Sequence, residues 1–298
     1  MKIPIIFLGT GQAIPTAKRN HTSILLKYKN ENLLFDCGEG TQRQFRKAKQ
    51  SLSKVTRILI THWHGDHILG IPGLLQTLQL SKYQGTLKVY GPEGTIKFMN
   101  LMQKIFVKKG RLKIEVKEIT KGKVFETQDF SVRALPMKHQ SPCLAYSFEE
   151  KDKIRIDKKK LSQLKLKPLQ IKELIENKVI NLENKKIKLS GISHKRKGKK
   201  IVIILDTAIN PNAVKIAKNA DLLISESTYS ESEAKLAHKY KHLTAKQAAE
   251  IAKKAKVKRL ILTHLSQRYE KKGIPIFEEA RKTFKNIGVA EDFDRVEI

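Results

Sequence analysis

Cysteine is scarce in this sequence, and long apolar runs are missing from it. The two cysteines, Cys37 and Cys143, are too few for a disulfide framework or a four-thiolate zinc site. No stretch approaches the roughly 18 consecutive apolar residues that a membrane span needs. Residues 1–8 run directly into strand-like sequence, without the features of a cleavable signal. These absences predict a cytoplasmic protein that does not enter a membrane.

Acidic residues are also few. The 60 Lys and Arg residues stand against 29 Asp and Glu residues, which gives a net charge of +31. Such a field attracts polyanions, although a lysine-rich composition that merely aids solubility gives the same total. The excess is densest in residues 151–200, which contain 18 basic and 5 acidic side chains. We interpret this segment as a protruding basic arm with a small helical element, and an ordinary surface insertion is the alternative.

Short apolar runs typical of strands alternate with segments typical of helices. The predicted strands are residues 3–8, 23–27, 32–35, 56–60, 87–90, 130–135, 144–148, 201–205, 222–225 and 259–263. The predicted helices are residues 38–49, 71–81, 95–108, 245–255 and 277–284. This mixed order predicts a single α/β domain over residues 1–298, with two or more sheets covered by helices and residues 151–200 inserted.

The strongest chemical signal is the segment His62-Trp63-His64-Gly65-Asp66-His67, directly after a predicted buried strand. Neutral imidazole nitrogens and carboxylate oxygens are suitable zinc ligands. Because His62 and His64 alternate along an extended loop, both side chains point to one side, and Asp66 and His67 can turn toward a second ion. A polar surface loop is the plain alternative, but it gives no reason to crowd these groups behind an apolar strand.

Further ligands are expected at other strand ends, because these four groups are too few for two metal sites. His139, Asp206 and His264 each follow a predicted strand. Singly, each is better explained as a cap or as a loop residue. Together they repeat one pattern, a hydrophobic strand followed by a metal-type ligand, and active sites gather at such strand edges.

Taken together, the motifs resemble the ribonuclease Z family, the tRNA 3′-processing endonucleases of the metallo-β-lactamase superfamily. The resemblance covers nearly the whole chain, and residues 35–44 are its most specific part. The matching positions are Gly9-Thr10-Gly11, Pro15, Arg19-Asn20, residues 35–44, residues 62–67, His139, Tyr146, Asp206-Thr207, His242-Leu243-Thr244 and residues 264–269. The metal motif alone marks the superfamily, whereas the full set points to the RNA enzyme.

The resemblance implies an αββα sandwich with a metal centre at one edge of its two sheets. It implies two zinc ions per subunit, one bound by three histidines and the other by an aspartate and two histidines, with a second aspartate bridging both. In that order the ligands are His62, His64 and His139, then Asp66, His67 and His264, and finally the bridging Asp206.

Catalytic and substrate-binding roles also follow from the resemblance. His242 is the implied general acid for the leaving ribose oxygen, Glu226 orients it, and Asp66 is catalytic as well as a ligand. His242 also has a structural explanation, as the residue just ahead of a helix that Thr244 caps. The implied substrate-binding residues are Arg19, Asn20, Arg268 and Tyr269. The family further implies a homodimer that acts on precursor tRNA, with residues 151–200 as its tRNA-binding exosite.

Three positions depart from the family pattern. Lys18 is displaced by one residue from the lysine that usually follows Pro15. The segment Ser225-Glu226-Ser227-Thr228 keeps its glutamate among changed neighbours. Lys167-Pro168-Leu169 stands where the basic arm usually has a Gly-Pro element.

Removal of the 3′ trailer from precursor tRNA, leaving a 3′-hydroxyl, is therefore the function that the sequence favours. Two other functions stay open. One is a general zinc phosphodiesterase of the same superfamily without tRNA specificity. The other is a non-catalytic RNA-binding protein on a hydrolase scaffold, although a complete ligand set argues against it.

Overall fold

The computed structural model describes residues 2–107, 112–182, 185–270 and 274–298, which form two compact units. The first unit comprises Met1–Thr127, Ser131–Glu149 and Lys200–Ile298. The second comprises Gln128–Phe130 and Glu150–Lys199. Each unit contains hydrophobic core of its own. The prediction that residues 151–200 are an insertion in a single domain stays a prediction.

Strands and helices alternate along the chain, and both are numbered here in chain order. The strands are β1 (Pro4–Gly9), β2 (Ser23–Tyr28), β3 (Glu31–Phe35), β4 (Arg57–Leu59), β5 (Thr86–Gly91), β6 (Lys113–Glu118), β7 (Gly122–Glu126), β8 (Phe130–Met137), β9 (Cys143–Glu150), β10 (Lys153–Ile156), β11 (Val179–Leu182), β12 (Lys185–Lys188), β13 (Ser193–Arg196), β14 (Lys200–Ile204), β15 (Leu222–Glu226), β16 (Leu260–Thr263), β17 (Ile287–Val289) and β18 (Arg295–Glu297). The helices are α1 (Thr41–Lys47), α2 (Gly65–Ile68), α3 (Ile71–Leu80), α4 (Thr95–Phe106), α5 (Lys158–Gln163), α6 (Pro168–Asn177), α7 (Pro211–Ala217), α8 (Ala234–Tyr240), α9 (Ala245–Lys254) and α10 (Ile274–Thr283). Within the described parts of the chain, none of the helices combines the length and the apolar character needed to cross a bilayer.

Two seven-stranded mixed sheets frame the first unit. The first sheet has the order β18-β1-β2-β3-β4-β5-β6, antiparallel from β18 to β3 and parallel from β3 to β6. The second has the order β17-β16-β15-β14-β9-β8-β7, in which β14 to β17 are parallel and β9 runs antiparallel to β14. Because parallel strands end at the same edge, the residues that follow β3 and β4, and those that follow β14, β15 and β16, collect at one rim of each sheet.

The two sheets pack face to face and carry helices on their outer faces. Aromatic rings cross between them, with 5.9 Å between the ring centroids of Phe35 and Tyr146 and 5.3 Å between those of Tyr28 and Phe148. Side chains that alternate with these inner residues pack outward, on α1, α3 and α4 for the first sheet and on α7, α9 and α10 for the second. The predicted α/β class with helix-covered sheets is confirmed.

The structure contains elements that the hydrophobic pattern did not predict. Strand β6 lies at a sheet edge and has no fully buried side chain, so its apolar signal is weak. Helix α7 depends on a cap, since the Asn210 side chain accepts a hydrogen bond from Ala213 N. The predicted helix at residues 38–49 is shorter, because Gly40 has φ 71° and α1 begins after it. The helix predicted at residues 95–108 ends at Phe106, and Lys108 lies outside the described residues.

The second unit has more structure than the small helical element that was predicted. It contains the antiparallel pairs β10–β13 and β11–β12 together with α5 and α6. Its small core is formed by buried Leu174, Ile180, Leu189 and Ile192. Leu169, by contrast, lies on α6 and is 80% exposed. Much of this unit therefore consists of paired strands. A charge-rich sequence does not predict such strands.

Tyr146 connects the two sheets at a point just ahead of the metal motif, because its hydroxyl donates a hydrogen bond of 2.7 Å to the carbonyl of Ile60. We predict that Tyr146→Phe lowers the free energy of unfolding by roughly 1–3 kcal/mol, since a buried acceptor loses its donor. Denaturant unfolding of the metal-free protein measures this change. Tyr240→Phe removes a hydroxyl from a ring that is 40% exposed and serves as the control. Equal stability of the two variants would contradict the prediction.

Candidate metal centre

The candidate site lies where parallel strands of both sheets end. In the first sheet, β3 is followed by Asp36 and β4 leads into residues 62–67. In the second, β14 leads to Asp206, β15 ends at Glu226 and β16 is followed by His264. Each of these residues follows or ends a buried strand, so its backbone is fixed while its side chain is free to point into the rim.

The loop after β4 changes from extended to helical within the motif. His64 is extended, with φ −76° and ψ 149°, and α2 starts at the next residue, which turns Asp66 and His67 back toward the site. The loop lies against the segment after β3, where Cys37 N donates to His67 O at 2.7 Å. Gly38 permits this close approach, because a Cβ at that position would lie 2.5 Å from the Asp66 carbonyl oxygen.

One group of donors consists of His62, His64, His139 and Asp206. His64 Nδ1 lies 3.0 Å from His62 Nε2 and 3.2 Å from His139 Nε2. Asp206 Oδ2 lies 3.4 Å from His62 Nε2 and 3.7 Å from His139 Nε2. Tetrahedral zinc with bonds near 2.0–2.1 Å separates two nitrogen ligands by about 3.3 Å. The spacing of these donors therefore suits a bound metal ion.

A second group consists of Asp66, His67 and His264, next to the same Asp206. His67 Nε2 and His264 Nε2 are 3.2 Å apart, and Asp66 Oδ2 lies 3.3 and 3.4 Å from them. Asp206 Oδ1 lies 3.1 Å from His264 Nε2, and Asp206 Oδ2 lies 3.6 Å from His67 Nε2. The Asp206 carboxylate thus reaches both groups.

Four of the histidines are oriented by what their Nδ1 atoms contact. His67 Nδ1 donates to Asp36 at 2.6 Å, and His139 Nδ1 donates to the Lys241 carbonyl at 3.1 Å. His62 Nδ1 and His264 Nδ1 lie 3.0 and 2.9 Å from threonine hydroxyls that donate their own protons to carboxylates. Each hydroxyl therefore accepts from the imidazole, and each ring keeps its proton on Nδ1. All four rings then direct Nε2 into the site, and the neutral ring binds metal through that atom.

The ligand positions carry features that a cation would explain. Asp206 and His264 have φ angles of 38° and 57°, a left-handed conformation that costs free energy in residues other than glycine. Asp206 Oδ1 is buried and accepts no hydrogen bond from the residues that the structure describes. A buried carboxylate oxygen without a donor is costly unless a cation neutralises it. The residues therefore fit a metal ion.

Charge in the site favours cations. Burial and the neighbouring His67 lower the pKa of His62 to about 4, so this ring is neutral at physiological pH. Burial opposes charge on His67, but Asp66, Asp206 and Asp36 outweigh it and raise the pKa of His67. Burial also opposes ionisation of Asp206, yet the surrounding histidines hold its pKa well below the ordinary value. The carboxylates thus stay ionised and attract either protons or metal cations.

Asp36 and Thr228 take part in the site, although the sequence assigned neither a role. Asp36 accepts hydrogen bonds of 2.7 Å from both the amide and the hydroxyl of Thr61, in addition to the one from His67. Thr228 connects Glu226, to which it donates at 2.6 Å, with His264. The sequence does contain a signal that could have predicted a role for Asp36, because it is another carboxylate directly after a predicted buried strand. Thr228 had no such signal.

His242 and Glu226 form a pair beside the metal-ligand groups. His242 Nδ1 lies 3.1 and 3.2 Å from the two carboxylate oxygens of Glu226, and Glu226 also accepts from Thr207 N at 2.6 Å. Burial alone would lower the pKa of His242, but the Glu226 carboxylate, assisted by Asp206, raises it to about 9. The imidazole is therefore charged at neutral pH and can give up a proton from Nε2. Thr244 caps α9 as expected, with its side chain accepting from Gln247 N.

The four predicted substrate-binding residues fall into two settings. Arg268 lines a cleft of about 300 Å³ together with His64, His139 and His242. Arg19 instead bonds to Thr10 and to the carbonyl of Ala290, and Asn20 bonds to Glu39 and Asp292. Tyr269 is buried and donates to Glu233. Their roles in substrate binding stay predictions, and Arg268 alone among them lines this cleft.

Comparison with known proteins identifies the family. Residues 3–179 match the family model described as Anti-Pycsar protein Apyc1, which places the chain in that sequence family. A ribonuclease Z from Methanothermobacter thermautotrophicus is 42% identical, over 99% of this chain and 96% of its own length. The chain belongs to the ribonuclease Z family. The resemblance found in the sequence is thereby confirmed.

Solved structures agree with membership of the ribonuclease Z family. Human tRNase Z, short form, is 28% identical with a TM-score of 0.73, and the match covers 98% of each chain. The metallo-β-lactamase fold protein YhfI from Bacillus subtilis is 19% identical with a TM-score of 0.74, over 100% of each chain. The second likeness shows the fold alone. The predicted metallo-β-lactamase fold is therefore confirmed.

Asp36 holds the His67 ring through one oxygen, which also accepts from the Thr61 hydroxyl. In this ribonuclease Z-family chain we predict that Asp36→Asn weakens metal binding by about 10- to 100-fold, because an amide replaces one acceptor with a donor. Titration in metal buffers, followed by elemental analysis, measures the affinity. Asp294→Asn changes an exposed carboxylate and is the matched control. Unchanged affinity in Asp36→Asn, with the fold intact, would contradict the orienting role.

Proposed function

We propose that this chain is a zinc-dependent endoribonuclease that removes the 3′ trailer from precursor tRNA and leaves a 3′-hydroxyl on the tRNA. One observation carries the proposal. Two groups of metal-type donors share Asp206 and lie beside the His242–Glu226 pair, in a member of the ribonuclease Z family. Metal-dependent hydrolysis of a phosphodiester needs both parts, a site for cations and a group that protonates the leaving oxygen.

Zinc in two sites is the metal content that the donor chemistry supports best. Imidazole nitrogens dominate both groups, and they suit zinc better than magnesium or calcium. His62, His64 and His139 would hold one ion and Asp66, His67 and His264 the other, with Asp206 bridging. When bound, such a pair of ions supplies Lewis acidity toward the phosphodiester oxygens.

His242 provides the proton that the leaving 3′-oxygen requires. Its Nδ1 is bonded to Glu226, so Nε2 is the atom that donates. Glu226 raises the pKa of His242 to about 9 in the metal-free chain, and it thereby favours the protonated ring that a general acid needs. Glu226 is itself fixed by Thr207 N and the Thr228 hydroxyl, which keeps the donor in one orientation.

The charge of the chain supports RNA as the substrate. A net charge of +31 attracts phosphates, and the second unit adds exposed lysines such as Lys158, Lys159 and Lys160 on α5. Double-stranded RNA is recognised mostly through its shape and phosphates, since side chains cannot read its deep major groove. We therefore assign residues 151–200 as the exosite that binds the tRNA body, with binding that weakens steeply as salt rises.

A homodimer in the cytoplasm completes the proposal. Helix α4 exposes large apolar side chains in a strongly charged protein, with Phe98, Leu101 and Ile105 on one face and Ile96 elsewhere on the helix. Exposed apolar patches of this kind mark association surfaces. Two free, buried cysteines suit a reducing compartment, where tRNA precursors are also found.

A general zinc phosphodiesterase is the second candidate. It is favoured by the fact that every predicted metal ligand and the His242–Glu226 pair belong to the first unit. Catalysis of a small ester would then need nothing from the basic second unit. The two candidates differ in whether charge in that unit affects cleavage.

We predict that the chain, incubated with a trailer-bearing tRNA precursor, cuts once after the discriminator nucleotide. The tRNA product carries a 3′-hydroxyl, and the trailer carries the phosphate. A chelator abolishes cleavage and added zinc restores it. Mapping of both ends by sequencing and gel mobility checks the result. RNA binding without bound metal or cleavage would instead identify a non-catalytic binding protein.

The control for this assay neutralises Lys158, Lys159 and Lys160 together by substitution with Gln. Cleavage of precursor tRNA should fall and its salt dependence should become shallower, because phosphate contacts are lost. Hydrolysis of a small phosphodiester should not change. Equal rates on precursor tRNA with and without these lysines would favour the general phosphodiesterase.

We predict opposite metal contents for two inactive variants. His242→Ala keeps its metal but slows the chemical step by about 10²- to 10⁴-fold, since only proton donation is lost. Asp206→Ala loses both metal and cleavage, because the shared carboxylate is removed. Single-turnover kinetics and elemental analysis measure the two properties. Loss of metal from His242→Ala would refute the acid role, and activity in Asp206→Ala would refute the shared-ligand assignment.

A further inference from the structure

One aromatic ring stands exposed at the rim of the catalytic cleft. Besides the histidines, the cleft is lined by Gln12, Gln140, Tyr229, Tyr240 and Arg268. Tyr229 is buried, with the Arg268 guanidinium carbon 5.6 Å from its ring centroid and the His242 ring at 6.0 Å. Tyr240 is 40% exposed. Of the two tyrosines, Tyr240 is therefore the one whose ring offers surface to a ligand.

The backbone around Tyr240 is fixed relative to the site. Tyr240 is the last residue of α8, and Lys241 after it adopts a left-handed φ of 56°. The Lys241 carbonyl accepts from His139 Nδ1 at 3.1 Å, and Lys241 Nζ donates to the His139 carbonyl at 3.1 Å. His242 N donates to Ala237 O at 2.8 Å. Tyr240 is thus held two residues from the proposed acid, on backbone that is tied to His139.

The surroundings of Tyr240 match a nucleotide better than an apolar ligand. Lys239 Nζ lies 5.5 Å from the Tyr240 ring centroid, and Arg268 lines the same cleft. Gln12 and Gln140 offer amide donors and acceptors for a base edge or a ribose hydroxyl. A volume of about 300 Å³ is at the low end of ligand pockets, which suits one unstacked nucleotide and not a duplex.

We propose that Tyr240 forms a stacking subsite for the unstacked nucleobase that flanks the scissile phosphate. Aromatic side chains bind bases of single-stranded RNA in this way, and such stacking tolerates any base because every base has a π-face. The subsite places the strand so that the leaving oxygen meets His242. This inference rests on the proposed function. Tyr240 is a positioning residue, since it takes no part in proton transfer.

The test compares cleavage of a trailer-bearing precursor with cleavage of the same RNA made abasic at the nucleotide just before or just after the cut. The variants are Tyr240→Ala and Tyr240→Phe, which keeps the ring. Phe293→Ala removes a ring that is also 40% exposed but does not line the cleft, and it is the matched control. Bound metal is measured in every variant.

We expect Tyr240→Ala to lower kcat/KM on the intact precursor about 5- to 30-fold, while its metal content is unchanged. Tyr240→Phe and Phe293→Ala should retain kcat/KM. On one of the two abasic substrates, Tyr240→Ala and the unaltered chain should be equally slow, because the ring has no base to contact. That substrate identifies which neighbouring base stacks.

Two results would overturn the subsite. One is an unchanged kcat/KM for Tyr240→Ala on the intact precursor. The other is the same fold-loss for Tyr240→Ala on the intact and on both abasic substrates, which indicates a structural role. No cleavage of any substrate by the unaltered chain would refute the proposed function, and this inference with it.

Discussion

The hydrogen bonds made by the outward-facing Nδ1 atoms are the interactions on which this site depends. An imidazole binds a metal through one unprotonated nitrogen, so its proton must be kept on the other. Here the proton of His67 is held by a carboxylate, that of His139 by a main-chain carbonyl, and those of His62 and His264 by threonine hydroxyls. Each of these acceptors follows or ends a strand, or lies in a loop fixed by further hydrogen bonds. The tautomers are therefore set by the fold before any ligand binds.

The same network joins the metal-type donors to the proposed proton donor. Thr228 contacts the His264 ring and the Glu226 carboxylate. Glu226 in turn contacts His242 and raises its pKa. The Thr228 hydroxyl thus lies between the His264 ring and the carboxylate that orients His242. The segment 225–228 is buried although all of its side chains are polar, and each side chain has a hydrogen-bond partner. Buried polar groups are tolerated when every member of the network is satisfied.

Much of the site could be predicted from the sequence, because the strands that carry it are short, apolar and followed at once by a ligand-type residue. His139, Asp206 and His264 were found by that pattern, and the structure brings them to the residues 62–67. Asp36 follows the same pattern, but its role depends on a hydrogen bond to the ring of His67, a contact that the sequence does not show. Thr228 and Tyr240 could not be predicted. Their importance lies in contacts across different strands and loops, which the sequence does not contain.

The rest of the fold was harder to predict where charged residues interrupt the hydrophobic pattern. Strand β6 has an edge position and polar alternation, and the paired strands of the second unit consist largely of lysine and isoleucine. In both cases the strands pair through their main chains, and many of their side chains are charged and exposed. Helix α7 begins at an asparagine cap, a signal that hydrophobic periodicity does not detect. Sequence periodicity detects buried faces, so it misses elements that bury little.

The metal-type donors come from both sheets, since residues 62–67 follow β4 whereas Asp206 and His264 follow β14 and β16. Neither sheet supplies all the donors of either group. A cation bound by both sheets would cross-link the N-terminal and C-terminal halves of the fold. Its binding free energy would add to the stability of the native state. Removal of the metal would therefore lower the stability of the folded chain as well as its activity.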